Sequence, residues 1–177
     1  TDGCDNTTES VAWFTILDTQ APYFTTPPSS VTVECDGAGN IADQEAWLNG
    51  PAASDACGPV TLVQSGGVLS DDCGATGSAA ATWTATDDCG NVKEASSPFT
   101  VEGATPPALS VDLTPINMVD TDCSGGEGVA LPTGTADDEC GTATVAHDAP
   151  SVFPAGQTTT VTYTATDECG NASSDAD

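Results

Sequence analysis

Positive charge is almost missing from this chain. One lysine, Lys93, faces 27 acidic residues among 177, for a formal charge of −26. Nucleic acid is excluded as a partner, and repulsion between neighbouring loops is large unless cations bind. With no arginine there is no clamp for an anion, and no phosphate-cradling glycine motif precedes a helix. A single histidine, His147, and no CxxC pair leave little for zinc. His147-Asp148 is the only pairing from which a serine triad could be drawn. No serine has a signature around it, so catalysis is not expected. No apolar run approaches the roughly 20 residues that span a bilayer, which excludes insertion as a membrane helix. A start at Thr1, without Met or a signal peptide, is what a processed or excerpted piece of a secreted protein has.

What the chain has is a repeat. Thr158–Asn171 is an alternating β-branched and aromatic run ending in an acidic Cys-Gly-Asn turn. Ala80–Asn91 repeats it, and Thr1–Asn6 keeps only the turn. Cys4, Cys89 and Cys169 thus recur at about 80 to 85 residues, the size of one immunoglobulin-like sandwich. Residues 1–24 align without a gap to 86–109, so that Phe14-Thr15-Ile16 matches Phe99-Thr100-Val101. Each segment leads into a Pro-bearing linker, Asp18–Pro22 or Gly103–Pro107, where a strand must stop.

The predicted fold is all-β. It comprises an N-terminal donor strand and linker over 1–21, an Ig-like domain over 22–105 and a second over 106–177 that lacks its own last strand. In the first domain the patterns predict strands at 31–35, 59–64, 67–69, 79–87 and 95–101, with a short helix over 41–48. In the second they predict strands at 108–113, 128–131, 142–146, 151–153 and 158–166, and none after Thr166. The N-terminal strand runs from Glu9 to Leu17.

The stretch Ser151–Asn171, with Phe153-Pro154-Ala155-Gly156 at its corner and Asp167-Glu168-Cys169-Gly170-Asn171 at its turn, resembles the hyalin (HYR) repeat. That is an immunoglobulin-like sandwich of extracellular adhesion proteins and giant bacterial surface proteins. Linkers such as Asp18–Pro22 also fit tandem arrays of that kind. The first domain departs from the pattern, carrying Ser70-Asp71-Asp72-Cys73-Gly74 in place of the corner. The resemblance implies an adhesive or spacer role outside the cell or on its surface, without catalysis.

Eight cysteines in a loop-rich chain read as a disulfide framework made in an oxidising compartment. An Ig-like topology puts Cys57 with Cys89, and Cys140 with Cys169, at one end of each sandwich, and Cys35 with Cys73 at the opposite end of the first. The pairs expected on reach are 35–73, 57–89 and 140–169. Cys4 and Cys123 are left to bond between subunits.

The acidic residues gather near the linkers: Asp18, Asp55, Asp87 and Asp88 for the first domain, and Glu102, Asp137, Asp138, Asp167 and Glu168 for the second. Convergent carboxylates of this sort suit Ca²⁺, which takes six to eight oxygens. Reading Asp175 and Asp177 onward into Asp2, Gly3 and Glu9 also gives a calcium-loop pattern split across the chain ends. Asn6 and Asn171 head N-glycosylation sequons, and Thr25 and Thr26 open a Thr-Pro-Ser tract suited to O-linked sugar.

These features predict a subunit of an extracellular filament. Val11, Trp13, Phe14 and Ile16 belong to a strand donated to the second domain of the next copy, with Phe14 and Ile16 pointing into its core. The alternative is a length of a tandem-repeat surface adhesin in one continuous polypeptide. A carbohydrate-binding module, with glycans as partners, would rest on Trp13, Trp47 and Trp83.

Overall fold

The computed structural model describes residues 3–112, 126–127 and 130–176. The first repeat runs β1 (Tyr23–Thr26), β2 (Val31–Glu34), α1 (Ile41–Asn49), β3 (Ala52–Ser54), β4 (Val60–Gly66), β5 (Gly77–Asp87) and β6 (Val92–Glu102). The second runs β7 (Ala108–Ser110), β8 (Gly126–Glu127), β9 (Thr135–Asp137), β10 (Ala143–His147), β11 (Val152–Phe153), β12 (Thr162–Asp167) and β13 (Ala172–Ala176). The fold is all-β with one short helix among the described residues.

The period-2 alternation of the two long strands builds the first core. β5 buries Ala79, Ala81, Trp83 and Ala85, while β6 buries Ser97, Phe99 and Val101. They pair antiparallel from Thr86↔Val92 to Gly77↔Val101, within a sheet ordered β2-β6-β5-β4 in which β2 runs parallel to β6. Helix α1 closes this core by laying Trp47 edge-on to Trp83, ring centroids 5.4 Å apart, and beside Phe99 at 5.3 Å. Both indole N–H groups are satisfied there, Trp47 donating to Ser97 Oγ and Trp83 to Leu48 O. Two of the three tryptophans offered as a sugar-binding surface are therefore core residues.

The second repeat copies the plan in the same register. Thr166↔Ala172 and Thr162↔Ala176 match Thr86↔Val92 and Thr82↔Ser96, and Ala143↔Asp167 matches Val60↔Asp87. β1 with β3 and β7 with β9 form small matching pairs that the sequence patterns did not reveal.

Several expectations are corrected. The second repeat does have a closing strand, β13, which covers β12 from Thr162 to Thr166. Residues 158–161 are not strand, because pairing stops at Thr162↔Ala176, whereas β5 continues back to Gly77 beside a longer β6. Residues 67–69 are not strand either, since Gly66 and Gly67 lie at φ 82° and 86° and turn the chain out of the ladder. Leu113, and Gly128 and Val129 of the strand expected at 128–131, lie outside the described residues; Ala130 and Leu131 are not strand.

Residues 3–21 form no ladder with either repeat among the described residues. Phe14 and Ile16 are 92 % and 96 % exposed, while their sequence counterparts Phe99 and Val101 are 0 % and 3 % exposed.

Candidate functional site

The region where the two repeats meet is built from the Asp-x-Cys-Gly-Asn turn. In the second repeat Gly170 takes φ 88°, which lets the chain reverse between β12 and β13. Asp167 Oδ1 accepts from Asn171 N at 2.8 Å, and Asp167 Oδ2 from Asn171 Nδ2 at 2.8 Å. The other Nδ2 hydrogen reaches back to the linker, donating to Gly103 O at 2.6 Å. The turn between β5 and β6 repeats this arrangement: Asp87 holds Asn91 and Cys89, and Asn91 Nδ2 donates to Asp18 O at 3.3 Å. One motif thus ties each hairpin to the linker that enters its repeat. Glu34 adds a second tie, its Oε1 accepting from Ala104 N at 2.8 Å and Thr105 N at 2.9 Å.

These bonds set the electrostatics. Hydrogen bonds from the side chain of Asn91 hold the Asp87 carboxyl below the ordinary carboxylate range, and Asn171 does the same for Asp167. Backbone donation from Thr105 lowers Glu34 in the same way. Both oxygens of Asp87 and of Asp167 are committed to protein donors, so the structure uses these two cation candidates as turn braces. Asp55 and Asp138 form matching turns, accepting from Cys57 N at 2.8 Å and Cys140 N at 3.1 Å.

Two disulfides cross between the repeats. Cys35 bonds Cys140 and Cys73 bonds Cys169, with Cα separations of 5.7 and 5.2 Å. The expected pairs 35–73 and 140–169 are overturned, while Cys57 and Cys89 are not bonded to each other in the structure. The end of the first repeat that carries Cys35 and Cys73 is stacked on the end of the second that carries Cys140 and Cys169, so each sulfur meets a partner across the junction. Cys140 packs into the first repeat's core cluster, and Ala75 N donates to Cys140 O at 2.6 Å. Gly103 lies at this seam: a Cβ there would crowd Thr76 Cγ2 at 2.9 Å and touch Cys140 Sγ at an ordinary 3.5 Å. Cys57 and Cys89 are exposed thiols at the other end of the first repeat, and Cys4 is exposed in a turn. Cys123 lies outside the described residues.

Among the remaining cation candidates, Asp18, Asp55 and Cys57 bring ligand atoms within 4.8 Å of one another. The Asp18 charge, then burial and Asp55, push the Cys57 thiol up from its ordinary value. Asp88 is exposed beside that group; Asp137 lies in β9, Asp138 braces Cys140, and Glu168 bonds Thr142 Oγ1. Glu9 is exposed in the N-terminal segment and Asp175 sits in β13, while Asp2 and Asp177 lie outside the described residues. Of the glycosylation candidates, Thr25 and Thr26 are exposed on β1 and Asn6 in the N-terminal segment. Asn171 already spends its amide on Gly103 and Asp167. His147 meets Tyr163 edge-on at 5.6 Å between ring centroids, and Asp148 accepts from Thr162 N, so both serve the β10–β12 pairing. No sequence signal pointed to Asn91, Gly103 or Glu34 as junction residues, although the recurrence of Asn after Cys-Gly could have.

No family model matches the chain, and no curated protein matches it by sequence. Among solved structures it is similar to EC1-4 of Drosophila N-cadherin, at 11 % identity and a TM-score of 0.38, over 89 % of this chain and 48 % of that one. The chain spans about half the length of that structure. At this degree of likeness the fold rests on the strand pairings themselves. Two disulfides among the described residues fit an oxidising, extracellular setting, and no helix described is long and apolar enough to cross a membrane.

Proposed function

We propose that the chain is a structural unit of an extracellular array of Ig-like, HYR-like sandwiches. Its segment Val11–Leu17 inserts as a closing strand into the second repeat of a neighbouring copy. The observation that carries this reading is the exposure of an N-terminal segment whose counterpart in the first repeat fills a core. Phe14 and Ile16 are almost fully exposed, although the same positions in β6 fill a core. Beside β12, the described pairing runs from Thr166↔Ala172 to Thr162↔Ala176, and the matching β5–β6 ladder runs on to Gly77↔Val101.

Carrying the β5–β6 register over puts Phe14 opposite Thr159 and Ile16 opposite Gln157, with Val11 taking the place of Ala176 opposite Thr162 and β13 keeping its pairs from Tyr163 to Thr166. This differs from a donor strand lying along the whole of 158–166. Burial of Phe14 and Ile16 would contribute about 1.5 to 3 kcal/mol each, and the added ladder would cover an open edge. Contacts of this head-to-tail kind propagate into a filament unless their rotation closes. Glycans on Thr25 and Thr26 would decorate its outside. The cation reading narrows to Asp18 and Asp55, where bound Ca²⁺ would stiffen the entering linker.

A photoreactive benzophenone side chain in place of Phe14 tests the reading. It should crosslink to peptides spanning 157–161 of another copy, and Phe14→Asp should abolish the assemblies by burying an unpaired charge. Assemblies of normal size from Phe14→Asp would remove strand donation. If the intact mass of denatured, reduced material is many times that of one chain, the continuous tandem-repeat adhesin takes its place.

A further inference from the structure

β2 and β6 run parallel and end together at the junction. Their pairs go from Val31↔Phe99 to Glu34↔Glu102, and Cys35 N extends the ladder by donating to Glu102 O at 2.8 Å. Beyond that point the two strands reach the second repeat by different covalent routes. β6 continues into the linker Gly103–Pro107, whereas β2 crosses through the disulfide of Cys35 with Cys140. At the far end of the first repeat the β5–β6 turn holds the entering linker, Asn91 Nδ2 donating to Asp18 O. Pro22–Cys35 therefore runs the length of the first repeat, from entering linker to junction. Cys35 and Cys140 stand 105 residues apart in sequence, and Cys73 and Cys169 stand 96 apart, so each bond closes a large loop of chain. The β5–β6 hairpin, with Trp83 and Phe99, lies inside both loops.

We propose that the chain is a tension-bearing link of limited extension. A pull on the entering linker travels along Pro22–Cys35 and crosses the Cys35–Cys140 disulfide into the second repeat, so residues 36–139 add no length to the loaded chain. With both disulfides reduced, the same pull would have to pass sideways from β2 to β6 through their four-pair ladder, because Gly103 would then be the sole covalent exit from the first repeat. Hydrogen bonds in such a ladder exchange with water and give way one after another, whereas the disulfide is covalent. Cys73–Cys169 acts as a second stop. In the absence of Cys35–Cys140, residues 74–168 would still add no length. The proposal rests on the array reading for the place where load arrives, since Val11–Leu17 held in a neighbouring copy would pull on Asp18–Pro22.

The test is single-molecule force spectroscopy of the full chain, held by handles ligated to its two ends, with free thiols alkylated beforehand. One chain is pulled at a time, so the outcome is the same whether or not Val11–Leu17 inserts into a neighbour. The oxidised chain should reach its limit 105 residues short of the reduced chain, about 35 to 38 nm at 3.3 to 3.6 Å per residue. Cys73→Ser with Cys169→Ser should keep that limit. Cys35→Ser with Cys140→Ser should move it only by the small difference between the 105- and 96-residue separations. The route of the load is read from β2, whose Val31 and Val33 pack against the first core. Val31→Ala with Val33→Ala should lower the force at which the first repeat of the reduced chain ruptures, and should leave the rupture forces of the oxidised chain unchanged. Non-reduced peptide mapping of each preparation for 35–140 and 73–169 reports that it has folded. Lower rupture forces in the oxidised, correctly bonded variant would show that the ladder carries the load and would overturn the proposal. A limit of the parent chain that reduction does not move would overturn it independently of any variant.

Discussion

Asn171 Nδ2 donates to Gly103 O at 2.6 Å, joining the last hairpin turn to the linker that enters its repeat. The same amide donates to Asp167 Oδ2, so both of its hydrogens are committed. Asn171→Ala should destabilise the second repeat by about 1 to 2 kcal/mol, the net value of the two bonds lost, measured by denaturant unfolding beside the parent chain. Glycopeptide mapping of folded, secreted material should find Asn171 bare, since a sugar would replace one of those hydrogens. A glycan there with full stability would show that the clamp contributes nothing.

The braced carboxylates predict a pH signature. Asp167 is held below its ordinary value of 3.8 chiefly by the Asn171 side chain. A group lowered in the fold stabilises it fully above that value and loses the contribution as pH falls through its folded pKa. The parent chain should therefore melt above Asp167→Asn at neutral pH, and the gap should close as pH falls from about 4 downward. A gap constant across that window would mean the charge of Asp167 has no part in the turn.

Replacing both Cys35 and Cys140 by Ser should cost about 2 to 4 kcal/mol, as should replacing both Cys73 and Cys169. Single replacement leaves a thiol at the buried junction. Non-reduced peptide mapping of the parent chain should find 35–140 and 73–169, and recovery of 35–73 would overturn the stacking of the repeats.

Chelation probes the entering linker. Ca²⁺ should raise the melting temperature of the chain, and Asp18→Asn or Asp55→Asn should remove the rise, because these are the two carboxylates grouped with Cys57. Asp87→Asn should leave the response to Ca²⁺ in place, since its oxygens already accept from Asn91 and Cys89. An unchanged melting curve in Ca²⁺ and in chelator removes cations from the account.

Strand period, turn glycines and the recurrence of Asp-x-Cys-Gly-Asn are local properties, so the all-β class, the repeat, helix α1 and the β5–β6 hairpin were legible in the sequence. So was the placing of Cys57 with Cys89, and Cys140 with Cys169, at a common end of each repeat. The partners of those cysteines were not. A disulfide needs its two Cα atoms within about 7 Å, and only the stacking of one repeat on the next brings Cys140 to Cys35 and Cys169 to Cys73. Asp87 and Asp167 look like any other acidic loop residues in the sequence. Folding spends them on Asn91 and Asn171, because a tight turn must satisfy its own backbone and amide donors before it can offer oxygens to an ion. Gly103 likewise carries no mark in the sequence; a Cβ there would lie 2.9 Å from Thr76 Cγ2, a contact that only the fold creates.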